Sequence, residues 1–154
     1  MSIEPFGPGI PLVIDTSAWS RQARPSVRER WKATARAGML VSCPASTLEI
    51  LVGTRDEREF DTFDRALRAL ADAPINSAVC DAALGAAREL AGSRRIPIAD
   101  YLIAAAAAER GFGVLHADRH FDLLATVLRS RSRASACLTE RYVSASLNPW
   151  RQLA

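Results

Sequence analysis

The stretch PLVIDTS, from Pro11 to Ser17, decides the fold of this chain. Its first four residues form a continuous apolar run, which the polar residues Asp15, Thr16 and Ser17 end. A short apolar run bounded in this way predicts a strand that is buried on both faces, as in a parallel sheet. Because open α/β sheets bind ligands at the carboxyl ends of their strands, Asp15 lies at a candidate functional edge.

On either side of this strand, short apolar runs alternate with helical patterns along the chain. Further strands are predicted at Met39–Ser42 and Val114–His116, and an edge strand at Ala136–Val143. This alternation favours βαβ units around a central parallel sheet, and 154 residues suffice for one domain. The predicted helices are Pro25–Ala37, Ala45–Val52, Asp56–Ala71, Ala78–Ala91, Ile98–Arg110 and Phe121–Leu128.

Composition and charge exclude several classes of protein. The 49 % hydrophobic and 24 % charged residues predict a globular chain, and the net charge of +3 is compatible with many partners. The three cysteines form no C-x-x-C pair, which argues against a disulfide framework or zinc site and predicts a reducing compartment. We find no signal peptide, and the longest apolar run is too short to cross a bilayer, so we expect a cytoplasmic protein without a membrane partner.

Four carboxylates occupy positions where a core-facing or sheet-edge side chain is expected. Asp15 and Asp118 each follow a buried strand, so they emerge at one edge if these strands are parallel neighbours. Asp100 lies near the start of the Ile98–Arg110 helix, with apolar residues on both sides. Glu49 also has apolar neighbours, so solvent exposure is not its obvious position.

Each carboxylate alone also has a simpler structural interpretation. Asp15 and Asp118 could cap the helices that follow them, and Asp100 could favour the positive end of its helix dipole. Glu49 could lie at the rim of an amphipathic helix. The four together are harder to explain, because converging carboxylates must either take up protons or bind a cation. An all-oxygen acidic pocket favours Mg²⁺ or Mn²⁺, ions that can promote phosphodiester hydrolysis.

The pieces VIDTS, ASTLEIL and IPIADYLIAAAAAERGFGVLHADRHFD, in this order and spacing, resemble the PIN-domain ribonucleases. They are most similar to the VapC toxins of bacterial toxin–antitoxin pairs. The resemblance covers Leu12 to Val143 and implies a three-layer α/β/α sandwich with a central, mainly parallel sheet. It divides the chain into a flexible leader at 1–10, a PIN domain at 11–145 and a C-terminal tail at 146–154.

The resemblance also implies a function. The chain would be a Mg²⁺- or Mn²⁺-dependent endoribonuclease, a homodimer that cleaves RNA and is inhibited by a VapB-like antitoxin. Thr16 and Ser17 match hydroxyl positions that support the metal site. Four acids match the family's catalytic, metal-binding quartet: Asp15, Glu49, Asp100 and Asp118.

Two positions depart from the family pattern. Many relatives have threonine two positions before the fourth acid, where this chain has His116, so the hydrogen bond that steadies Asp118 is open. Many have a fifth acid where this chain has His120, with Asp122 further on. His120 could contact substrate, transfer a proton or have no role, and Asp122 is predicted to be a helix-surface or supporting residue.

Other functions remain open alternatives at this point. The same domain could be a catalytically inactive module that binds RNA or protein, or a housekeeping RNA-processing nuclease. A phosphoacceptor signalling domain also gathers acids at a sheet edge, but it needs a lysine after a late strand, and Lys32 is the only lysine.

Overall fold

The computed structural model of the chain describes residues 3–7, 9–93 and 95–128. In these residues four strands form one parallel sheet in the order β3-β2-β1-β4. Strand β1 is therefore central and pairs with β2 on one side and β4 on the other, as the alternating pattern predicted. The strands are β1 (Leu12–Ile14), β2 (Leu40–Ser42), β3 (Ala71–Asp72) and β4 (Gly113–Leu115).

The helices of the described residues begin at recognisable signals. Pro25 and Pro44 occupy first-turn positions, where a missing N–H costs nothing. Asp56 and Asn76 cap their helices by accepting hydrogen bonds from backbone N–H groups, at 2.8 Å from Glu59 and 3.0 Å from Val79. The helices are α1 (Thr16–Trp19), α2 (Pro25–Arg36), α3 (Pro44–Val52), α4 (Glu57–Arg68), α5 (Ser77–Glu89), α6 (Ile98–Glu109) and α7 (His120–Leu128).

The central strand contacts a hydrophobic layer on each face of the sheet. Leu12 and Ile14 pack with Val27 and Trp31 of α2, whereas Val13 packs with residues of α5, α6 and α7. This alternation follows from the two-residue period of a strand. All three strand residues are completely buried, which explains the unbroken apolar run in the sequence. The predicted three-layer α/β/α sandwich around a parallel sheet is confirmed.

The predicted helices are present, with ends that differ by at most three residues. The largest difference is at the end of α4, where the helix was predicted to continue to Ala71. Instead Ala71 begins β3, because this segment pairs with the outer side of β2: the N–H of Ala73 donates to the carbonyl oxygen of Ser42 at 2.8 Å. Backbone pairing thus overrides the helical pattern of the side chains.

In the described part of the predicted flexible leader, Phe6 and Ile10 pack against the domain. Phe6 is 3 % exposed, and its N–H donates to the hydroxyl oxygen of Thr34 at 2.8 Å. The guanidinium of Arg30 lies over its ring, 4.3 Å from the centroid. The boundaries of the leader and the PIN domain stay predictions. The predicted edge strand Ala136–Val143 and the tail at 146–154 lie outside the described residues. Within the described residues, no helix is long and apolar enough to span a membrane.

Candidate active site

Asp15 lies at the carboxyl end of the central strand. Its N–H donates to the carbonyl oxygen of Leu115 at 3.0 Å, which continues the pairing of β1 with β4. The side chain is 4 % exposed, and its Oδ2 accepts a hydrogen bond from the N–H of Ser17 at 2.9 Å. Burial raises the pKa of Asp15, the bonds from Ser17 oppose that rise, and the negative charge of Glu49 adds to it.

The hydroxyl of Ser17 connects the ends of two neighbouring strands. It donates to Oδ2 of Asp15 and accepts a hydrogen bond from the N–H of Ala117 at 2.9 Å. Ala117 lies in the loop that follows β4. Arg21 steadies the same helical turn by donating to the carbonyl oxygen of Ser17 at 2.6 Å. One hydroxyl therefore fixes Asp15 relative to the loop that carries Asp118.

We expect Ser17→Ala to lower both stability and RNA cleavage. The variant leaves the buried carboxylate of Asp15 and the N–H of Ala117 without this partner, which costs about 1–3 kcal/mol. Loss of such a supporting bond lowers the activity of a metal site by roughly 10–100-fold. Urea unfolding and a cleavage assay measure the two effects.

A matched control for that change is Ser20→Ala in the same turn. Ser20 is exposed, and its hydroxyl donates to the carbonyl oxygen of Ser17 at 3.1 Å. Its removal should change stability by less than about 0.5 kcal/mol. If Ser17→Ala and Ser20→Ala behaved alike, the hydroxyl of Ser17 would have no role in the site.

Asp100 enters the site from a helix that is buried on most of its surface. It is the third residue of α6, and Ile103 and Ala104–Ala107 are buried behind it. Asp100 is buried, and its Oδ2 lies 2.9 Å from Nδ1 of His120. The pKa of Asp100 is raised to about 6, mainly by burial; the bond to His120 opposes the rise, and the charges of Asp15 and Asp118 add to it.

Asp118 lies in the loop after β4, and His120 is the first residue of α7. The backbone N–H of His120 donates to Oδ1 of Asp118 at 3.0 Å. This bond holds Asp118 in place, and the sequence alone did not identify it. Nδ1 of His120 lies 3.3 Å from the same oxygen. One ligand atom each of Asp100, Asp118 and His120 lies within 4.8 Å of the others. A single ion can therefore reach two carboxylates and an imidazole here.

Glu49 lies on α3, close enough to Asp15 for its charge to act on that carboxylate. Its Oε2 accepts a hydrogen bond from the hydroxyl of Thr16 at 2.9 Å. Contrary to the expectation that its apolar neighbours would bury it, Glu49 is exposed, because α3 turns Ile50 and Leu51 inward instead. It lies outside the group formed by Asp100, Asp118 and His120, but its charge reaches Asp15.

The structure thus brings together most of the residues that the sequence singled out. The charges of Asp15 and Asp118 both act on Asp100, and the hydroxyl of Thr16, next to Asp15, donates to Glu49. Asp122 lies in the first turn of α7, half-buried and outside the group of possible metal ligands. The direct contact of His120 with Asp100 was not foreseen, because the two are 20 residues apart and on different elements.

His116 is part of the core rather than of the acidic group. Its ring is completely buried and packs against Phe121, with centroids 4.8 Å apart. Neither ring nitrogen makes a hydrogen bond of normal geometry within the described residues. Burial lowers the pKa of His116 to about 4, although the backbone and charge of Asp118 favour the protonated ring. His116 is therefore neutral at pH 7 and fills space behind the loop.

The donor atoms of the site fit a divalent metal ion. Carboxylate oxygens predominate, and burial together with mutual repulsion makes the carboxylates of Asp15 and Asp100 costly to ionise. A bound cation removes that cost, so the site favours an ion over an empty pocket of charges. Oxygen-rich sites suit Mg²⁺ and Mn²⁺.

Comparison with known proteins agrees with this geometry. The profile of the PIN domain matches residues 12–127. Ribonuclease VapC18 of Mycobacterium tuberculosis is 36 % identical over 119 residues, which cover 74 % of this chain and 87 % of the relative. Ribonuclease VapC51 of the same organism is 38 % identical over 119 residues, covering 75 % and 85 %. Ribonuclease VapC11 is 30 % identical over 124 residues, covering 75 % and 92 %.

Proposed function

This chain belongs to the PIN-domain family, among the ribonucleases of the VapC type, and on that premise we propose that it is a metal-dependent endoribonuclease. Its substrate would be RNA, and its role would be that of the toxin in a toxin–antitoxin pair. The observation that carries the proposal is the meeting of Asp15, Asp100 and Asp118 at the carboxyl ends of β1 and β4. These acids come from three distant segments, and a shared cation would offset the repulsion between their charges.

We infer that the quartet predicted from the sequence holds a Mg²⁺ or Mn²⁺ ion. Asp100 and Asp118 have ligand atoms within 4.8 Å of each other, and the charge of Asp15 also raises the pKa of Asp100. Glu49 is exposed and accepts a hydrogen bond from Thr16. We propose that it acts on the solvent-facing side of the site. When bound, the ion would activate a water molecule and stabilise charge on the phosphodiester.

The chain's own residues would hold the metal-binding carboxylates in position and exclude water from them. Ser17 holds Asp15 in one orientation, and the backbone of His120 holds Asp118. The buried residues of α6 exclude water from one side of Asp100, which strengthens electrostatic interactions at that carboxylate. Such preorganisation lowers the energy needed to rearrange the site during hydrolysis.

Relatives of the VapC type also suggest partners. We propose that the chain forms a homodimer and binds a VapB-like antitoxin, which would cover the active site. RNA as substrate agrees with the cytoplasmic location that the cysteine pattern predicts. A catalytically inactive binding module is less well supported, because Asp15, Glu49, Asp100 and Asp118 are all present in the sequence.

The experiment that tests this function is induction of the chain in a bacterial host, followed by mapping of new RNA 5′ ends. We expect growth arrest and a small set of cleavage sites with the intact chain, and neither with Asp15→Asn. Co-expression of the proposed VapB-like antitoxin should restore growth. Cleavage sites that also appeared with Asp15→Asn would come from the host and would overturn the assignment.

A further inference from the structure

His120 places one ring nitrogen between two carboxylates of the site. Its Nδ1 lies 2.9 Å from Oδ2 of Asp100 and 3.3 Å from Oδ1 of Asp118. The side chain is 25 % exposed, so the ring lies at the mouth of the site rather than in the core. His120 contributes the one nitrogen in the group of three residues whose ligand atoms lie within 4.8 Å of one another.

The two distances resemble the separations between ligands of one metal ion. In an octahedral site with bonds of about 2.1 Å, neighbouring ligand atoms lie about 3 Å apart. A hydrogen bond from Nδ1 explains its approach to one carboxylate, but a single N–H does not serve two acceptors equally well. The ring nitrogen therefore lies where one cation could contact it together with both carboxylate oxygens.

We propose that His120 is a nitrogen ligand of the metal ion and shifts the preference of the site from Mg²⁺ towards Mn²⁺; this inference rests on the proposed function. Mg²⁺ strongly favours oxygen ligands, whereas first-row transition ions accept imidazole readily. A site of carboxylates alone would bind either ion by charge. Replacing one oxygen with an imidazole nitrogen weakens Mg²⁺ binding more than Mn²⁺ binding.

The surrounding structure holds His120 in the orientation that this role requires. The backbone N–H of His120 donates to Oδ1 of Asp118 at 3.0 Å. The backbone and the ring of His120 therefore both lie next to the same carboxylate oxygen. His120 is also the first residue of α7, whose Phe121 and Leu124 are almost completely buried. A ligand on a helix anchored in this way is preorganised, which favours metal binding.

The other histidine of the chain, His116, is not positioned to bind the metal ion. The chain has two histidines in all, and the ring nitrogens of His116 are inaccessible to solvent behind Phe121. His116 is therefore excluded from the mouth of the site. A spectroscopic signal from a metal-bound histidine can be assigned by removing His120 alone.

The direct test is pulsed electron paramagnetic resonance of Mn²⁺ bound to the untagged full-length protein. We expect nitrogen modulation of the Mn²⁺ echo, and we expect its pattern to change when the protein is labelled with ¹⁵N-histidine. In His120→Asn the histidine modulation should be absent while Mn²⁺ stays bound. Bound Mn²⁺ without histidine modulation, or modulation that persists in His120→Asn, would overturn the inference.

A second measurement tests the preference between ions. Calorimetric titration gives the affinities of Mn²⁺ and Mg²⁺ for the intact chain, His120→Asn and His120→Asp. We expect the ratio of Mn²⁺ to Mg²⁺ affinity to fall by about tenfold in both variants, because an oxygen replaces the nitrogen. An unchanged ratio with intact binding refutes only the role of His120. Absence of binding to the intact chain refutes the proposed metal-dependent function as well.

Discussion

Asp100→Asn is expected to lower the rate of RNA cleavage by at least about 100-fold, because loss of a supporting residue around a metal already costs roughly 10–100-fold. Asparagine keeps the size of the side chain and can still accept the hydrogen bond from His120. It removes the charge that would attract the ion. The buried position of Asp100, with its side chain 9 % exposed, leaves little room for water to replace the lost ligand.

The assay is cleavage of a purified RNA in Mg²⁺ and in Mn²⁺, with circular dichroism to show that the variant is folded. Asp15→Asn should have a similar effect. The matched control is Asp61→Asn on the exposed surface of α4, which should retain full activity. A folded Asp100→Asn protein with more than a tenth of the normal rate would remove Asp100 from the catalytic residues.

The same substitution should make the protein more stable when no metal is present. Burial raises the pKa of Asp100 from 3.8 to about 6, so the ionised carboxylate destabilises the folded state above that pH. A shift of this size corresponds to about 3 kcal/mol at full effect. We therefore expect Asp100→Asn to raise the free energy of unfolding by about 1–3 kcal/mol in a chelator at pH 8.

The pH dependence of this gain follows from the direction of the shift. A raised pKa means that the folded state holds its proton more tightly than the unfolded chain. The contribution of Asp100 is therefore most favourable below pH 3.8 and is lost as the pH rises through about 6. The stability difference between Asp100→Asn and the intact chain should be largest at pH 8 and should shrink towards pH 5.

Metal should reverse the order of stabilities. An ion present at about 1,000 times its dissociation constant stabilises the folded intact chain by about 4.1 kcal/mol, which exceeds the advantage expected for Asp100→Asn in chelator. Asp100→Asn should gain much less from the same ion, because it lacks a ligand. Urea unfolding in chelator and in Mn²⁺ measures both effects. A variant that is less stable than the intact chain in chelator at pH 8 would contradict the destabilising role of this carboxylate.

Local patterns of the sequence predicted the layers of the fold well. The PLVI run is a buried strand because Leu12, Val13 and Ile14 face hydrophobic layers on both sides of the sheet. Pro25 and Pro44 marked helix starts because their fixed backbone suits the first turn. These features depend on neighbours along the chain, which a sequence displays directly.

Features that depend on contacts between distant segments were harder to predict. The strand at Ala71 forms because it pairs with β2. The preceding residues have a helical pattern, so the sequence predicted a longer helix there instead of a strand. The exposure of Glu49 depends on which face α3 turns towards α4. The positions of Asp15, Asp100 and Asp118 followed from the strand–helix pattern and the family resemblance, whereas the contact of His120 with Asp100 required the folded chain.

The most direct test of the acidic site is calorimetric titration of the metal-free protein with Mn²⁺ at pH 7.5. We expect saturable binding to the intact chain and at least a tenfold weaker interaction with Asp100→Asn, whereas Asp61→Asn should bind as the intact chain does. Equal binding by the intact chain and Asp100→Asn, or no binding by either, would show that these carboxylates do not hold a metal ion.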